Sequence, residues 1–108
     1  MMTTGDILIV DDERDIRLLI GATLRDEGYP TVEAATAGEA RDILAAKPPG
    51  LAILDIWMRD SDMDGLELLE WVKGVYPELP VLMISGHGTI ETAVQAIRNG
   101  AFDFIEKP

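Results

Sequence analysis

Short apolar runs recurring at intervals, each followed by a helical stripe, constrain the fold of this chain more than any other feature. The runs are "ILIV" at 7–10, "LAIL" at 51–54, "VLMI" at 81–84 and "FDFI" at 102–105, with a weaker one, "TVEAA", at 31–35. "ILIV", "LAIL" and "VLMI" show no in/out alternation, which suits strands covered on both faces, as parallel strands are. Between the runs lie helical patterns. Ile16, Leu19, Ile20 and Leu24 fall on one helical face, with Gly28 as the stop. A second helix opens at a capping box from Thr36 to Glu39, runs through Ala40, Ile43 and Leu44, and ends before Pro48 and Pro49. A third carries Leu69, Val72 and Tyr76 before Pro77, and a fourth carries Ile90, Ala93, Val94 and Ile97 before Gly100. Strand alternating with helix at this spacing predicts right-handed crossovers and an α/β, doubly wound, five-stranded parallel sheet, with ligands at the carboxyl ends of its strands. No helical pattern follows the fifth run, which leads into "EKP". One sheet face is therefore expected to lack part of its cover, and residues 1–108 are taken as one domain truncated at its C-terminal side.

Composition narrows the function. At 108 residues and 47% hydrophobic, the chain suits one packed domain. It has no apolar run of membrane-spanning length, and "MMTTGD" carries no export signal, so a cytoplasmic protein is expected. The absence of cysteine removes disulfide and thiolate-metal chemistry. A formal charge of -11 opposes direct contact with nucleic acid or an anionic membrane, because the summed field repels phosphate. Most of the acid is read as solvated surface. The acids at strand ends are different.

Asp11 and Asp12 directly follow "ILIV", and Asp55 directly follows "LAIL"; in a doubly wound sheet those two ends are neighbours. Converging carboxylates repel one another, and a hard divalent cation relieves the repulsion. Mg2+, which takes only one or two carboxylates and keeps several waters, fits such an edge. Taken singly, Asp11 or Asp12 is better read as a helix N-cap. Ser85 after "VLMI" and Lys107 after "FDFI" add a hydroxyl and an ammonium to the same edge. Carboxylate nucleophile, cation, hydroxyl and ammonium together make a site for a phosphoryl group.

"ILIVDDE", "LAILDIWM", "DGLELL", "VLMISGHG" and "GAFDFIEKP" together resemble the receiver domain of two-component response regulators, over essentially the whole chain. The resemblance implies a flavodoxin- or CheY-like sheet of order 2-1-3-4-5. It implies Asp55 as phospho-acceptor, Mg2+ held by Asp11, Asp12, Asp55 and the backbone carbonyl of Trp57, Ser85 as hydroxyl switch, Lys107 as phosphate-binding lysine and Phe104 as aromatic switch. The implied partner is a sensor histidine kinase, and the implied chemistry is limited to the domain's own phosphorylation and dephosphorylation. A homodimer through the fourth helix and fifth strand, or through the exposed sheet face, is expected. Within the family, "SGHGTIETAVQAIRNGAFDFIEKP" is most similar to the nitrogen-regulatory NtrC type and to NtrX-like sequences in particular, whose output is transcriptional activation. "DIWMRDSDMDG" departs from the common D-x-x-M-P-x-x-D-G loop by two extra residues and a missing proline, an extension that NtrX-like sequences share. Its Asp60, Asp62 and Asp64 are read as solvated turn residues.

Other readings stay open at this point. A magnesium-dependent phosphatase with an Asp nucleophile normally carries a second acid two positions on, where this chain has Trp57. A mononucleotide binder would want a glycine-rich loop where "DDER" stands. A module acting without phosphorylation is opposed by the complete set of acid, hydroxyl and lysine. Trp57 has two readings of equal weight, a shield over an acyl phosphate or a cover for the loop. His87, between two glycines, is read as a loop residue, and Met58, Met63 and Met83 as core or loop filler.

Overall fold

Because successive side chains of a strand leave a sheet on opposite faces, an unbroken apolar strand must be covered on both. The computed structural model, which describes residues 5–59 and 61–107, shows this division directly. Strand β1 (Ile7–Val10) sends Leu8 and Val10 into one core and Ile7 and Ile9 into another. Helix α1 (Arg14–Asp26) follows, then β2 (Thr31–Ala34), α2 (Ala37–Ala46), β3 (Leu51–Asp55), α3 (Gly65–Val75), β4 (Val81–Ser85), α4 (Ile90–Arg98) and β5 (Asp103–Glu106). The five strands are parallel in the expected order β2-β1-β3-β4-β5.

The larger core lies under α2, α3 and α4, where Leu44, Leu68, Leu69, Val72 and Ala96 meet Leu54, Val81 and Met83. Met58 and Met63 pack against it, as filler. On the opposite face Ile16, Ile20 and Leu24 of α1 cover Ile9, Ile53 and Ile84. That face is less complete: Ile105, paired in register with Ile84, is 48% exposed.

Local signals account for most element ends. Gly28, at φ +91°, closes α1 in a conformation that side-chain-bearing residues rarely adopt. Thr36 Oγ1 accepts from the Glu39 amide as expected, but Glu39 reaches back to the Ala35 amide, one residue earlier than a capping box would place it. The fifth strand begins at Asp103 instead of 102, leaving Phe102 exposed while its amide donates to Val81 O. The N-cap expected of Asp11 or Asp12 is not found. Glu13 occupies that position without a side-chain cap, and Asp11 Oδ1 instead accepts from the Glu13 amide at 2.8 Å.

Candidate functional site

The parallel ladder brings one edge of the sheet to a point. Asp11 continues β1 while its amide donates to Ala34 O; Ile56, just after β3, donates to Ile84 O; Lys107, just after β5, donates to Ser85 O. Four strand ends are thereby held level, and Asp11, Asp55, Ser85 and Lys107 are held with them. Carboxylate oxygens of Asp11, Asp12 and Asp55 lie within 4.8 Å of one another. Asp11 and Ser85 are wholly buried and Asp55 is 1% exposed.

Lys107 is the counter-charge. Its Nζ stands 2.9 Å from Asp11 Oδ2, 3.3 Å from Asp55 Oδ2 and 3.2 Å from Glu13 Oε1. Its directional hydrogen bond goes to Glu13, and among the described residues Asp11 Oδ2 and Asp55 Oδ2 are left with charge attraction but no hydrogen-bond donor in line. Two buried carboxylate oxygens in that condition are costly unless something else binds them. Burial, and next the charge of Asp11, pushes the Asp55 carboxyl up to about 7, with Lys107 offsetting only part of the effect. Burial also raises Asp11, against the opposing pull of the Glu13 amide and Lys107. Burial disfavours the Lys107 ammonium, but Asp11, Asp55 and Glu13 outweigh it and hold the proton more tightly than usual. One cation is thus shared among more acid than it neutralises. The donor set suits a hard, oxygen-seeking dication: the clustered ligand atoms are all carboxylate oxygens, within 4.8 Å of one another.

Around this point lies an open cleft of about 300 Å3, lined by Asp12, Asp55, Trp57, Arg59, His87 and Lys107 among others. Trp57 is half exposed at its rim. His87 is an exposed loop residue, and its amide donates to Ser85 Oγ at 3.1 Å, so the serine proton is left available to a ligand. Phe104 stands apart from the cleft, half-buried against the α2–α4 core, its ring in the space beside Gly88, where a Cβ would come 2.4 Å from the ring.

In the loop after β3, Asp62 is exposed as expected, while Asp64 departs from the expectation of a solvated turn residue. Asp64 is the N-cap of α3 and forms a reciprocal capping box with Glu67. Asp62 pairs with Arg41 of α2 at 2.6 Å. Asp60 lies outside the described residues. Other contributors to the site carried no warning in the sequence. Glu13 was visible only as part of "DDE", and nothing marked it as a partner of a lysine 94 positions on. Gly65 entered only as a letter of "DGLELL", yet a Cβ there would lie 1.8 Å from Asp55 O, so the loop can close beside Asp55 only over a glycine.

Comparison with known proteins completes the description. Residues 7–108 match the family described as the response regulator receiver domain. An NtrX-like response regulator of Rickettsia bellii is 58% identical over 107 residues, covering 99% of this chain and 22% of the relative. The nitrogen assimilation regulatory protein NtrX of Azorhizobium caulinodans is 58% identical over 103 residues, 95% of this chain and 23% of the relative. The crystal structure of the NtrX receiver domain from Brucella abortus superposes with a TM-score of 0.92 at 57% identity, over 95% of this chain and 86% of that one. The chain therefore spans under a quarter of the length of these curated relatives.

Proposed function

The chain belongs to the response regulator receiver domain family, and on that premise we propose that it is a phospho-acceptor switch in which Asp55 takes a phosphoryl group from a phosphohistidine of a sensor kinase. The observation that carries this reading is the pair of buried carboxylates, Asp11 and Asp55, sharing the Lys107 ammonium at the strand ends beside Asp12. Asp11, Asp12, Asp55 and the backbone carbonyl of Trp57 would hold Mg2+, which when bound neutralises charge on the phosphoryl oxygens. The ionised Asp55 carboxylate supplies the attacking oxygen: a new O–P bond forms as the N–P bond of the phosphohistidine breaks, and the imidazole leaves. Positioning does most of the catalytic work in such a transfer. Lys107, which now divides its charge among Asp11, Asp55 and Glu13, turns toward the added phosphoryl group. Ser85 donates its free proton to the same group.

The product adds charge of about -1.5 to -2 at one buried point. Movement of Ser85 and Lys107 would draw the β4–α4 loop, and Phe104 beside Gly88 is the group placed to follow it. The readout surface lies next to it. Ile90, Val94 and Ile97 form an exposed apolar stripe on α4, and Ile105 of β5 is also exposed; a homodimer formed there after phosphorylation is part of the reading. A regulatory output in nitrogen-related control is carried over from the NtrX relatives, which are four- to fivefold longer; further effector domains and a cytoplasmic location are part of the same reading. No described helix is long and apolar enough to cross a membrane.

The test uses a small phosphodonor with and without Mg2+. Wild type should acquire one base- and hydroxylamine-labile phosphoryl group only with the cation, and Asp55→Asn should acquire none. Equal labelling of the variant would overturn the assignment. Trp57 at the rim supports a shielding role, checked by the acyl-phosphate lifetime of Trp57→Asn; an unchanged lifetime leaves it as loop cover alone.

A further inference from the structure

The extended loop is fastened to a different part of the fold from the one it leaves. Ser61 Oγ accepts from the amide of Ala37, the first residue of α2, at 2.9 Å. That amide is one of the donors a helix start leaves without an internal partner, so Ser61 acts as a cap supplied from 24 positions away. One residue on, Asp62 Oδ2 meets Arg41 NH2 at 2.6 Å, and the other guanidinium nitrogen reaches Met63 Sδ at 3.1 Å. The Arg41 hydrogen bond holds the Asp62 carboxyl below its usual range. Met63 is anchored in turn against the core under α2 and α3. A short row of contacts from Ser61 to Met63 thus ties the loop to the first turns of α2.

The near side of the same loop touches the acidic site. The Arg59 amide donates to Asp12 Oδ2 at 3.1 Å. Asp12 is the least buried of the three clustered acids, and this is a contact from the far side of the cleft that fixes which way one of its oxygens faces. We propose that Arg41, Ser61 and Asp62 are positioning residues for the cation site: by strapping the loop to α2 they hold the Arg59 amide on Asp12 and so preorganise that carboxylate for a divalent cation. The proposal rests on the phospho-acceptor reading and extends it. It also gives the added residues of this loop a physical purpose. Where a shorter loop is stiffened by proline, this one is stiffened by contacts to a neighbouring helix.

The test needs a readout that does not depend on phosphorylation. Amide hydrogen exchange of residues 56–59 in the metal-free protein should quicken in Arg41→Ala and in Ser61→Ala, and Mg2+ binding should weaken roughly two- to fivefold in each, the range an exposed polar tie can contribute. The charge-exchanged protein, Arg41→Asp with Asp62→Arg, should recover both readouts, which a general loss of α2 stability would not allow. Wild-type exchange and Mg2+ affinity in Arg41→Ala, or failure of the exchanged pair to recover, overturns the strap alone. A wild-type protein that takes up no Mg2+ overturns the phospho-acceptor reading, and with it the link from strap to cation.

Discussion

Aspartates at the strand ends and aspartates in the loop that follows them occupy opposite physical conditions. Asp11 and Asp55 are buried, and each keeps an oxygen with no hydrogen-bond donor in line. Asp62 and Asp64 are more open to water, and each has an oxygen in a hydrogen bond with good geometry, one from Arg41 and one from the Glu67 amide. Burial therefore does not track satisfaction here. The fold buries two acids beside one shared lysine, a charge imbalance that a bound cation would relieve. The paired acid holds the surroundings still.

The junction of the two regions offers the largest effect. Gly65→Ala places a Cβ 1.8 Å from Asp55 O, and destabilisation on the order of 4 kcal/mol or more is expected, read as loss of a cooperative melt at ordinary temperature. Next comes Asp55→Asn, which should make the metal-free domain more stable while abolishing phosphorylation. The carboxyl is raised from 3.8 to about 7, which at about 1.4 kcal/mol per pH unit corresponds to a gain of order 2–4 kcal/mol near neutral pH. Thermal or urea melts of the two proteins at pH 8 decide it.

The same shift fixes the sign of a pH dependence. A carboxyl whose folded value is raised favours the folded state fully below its unfolded value, and that contribution is lost as pH climbs through the folded value. Metal-free wild type should therefore lose stability between about pH 4 and about pH 7 from this group, and Asp11, also raised, acts in the same direction. Saturating Mg2+ should flatten the slope, as should Asp55→Asn. Smaller effects belong to the loop. Asp64→Ala removes the α3 cap and should cost about 1 kcal/mol. Asp62→Asn should leave the melting temperature unchanged within error, its exposed pair with Arg41 acting on loop position and not on global stability.

Sequence patterns anticipated the buried part of this picture and missed much of the exposed part, for a physical reason. Leu8, Val10, Ile53 and Leu54 can be buried only in a strand covered on both sides, so the runs containing them located β1 and β3, and the acids after them followed. The expectation for β5 slipped by one residue because Phe102 is apolar but exposed. Glu13 near Lys107, and Ser61 on the α2 amide, are polar contacts between positions far apart in the chain, with no periodicity to reveal them. Gly88 was noted only as a neighbour of His87, whereas its missing side chain makes room for Phe104. Asp64 was legible in principle, since an acid three residues before Glu67 is a helix-start signal, but the crowd of neighbouring acids hid it.

Calorimetric titration of the wild-type chain with Mg2+ at pH 8, beside Asp11→Asn, is the most direct test of the claim that the buried acids await a dication. One saturable site in wild type and a loss of affinity of at least roughly tenfold in the variant are predicted, since one of only a few carboxylate ligands is removed. No heat of binding in wild type, or equal affinity in the two proteins, would contradict it.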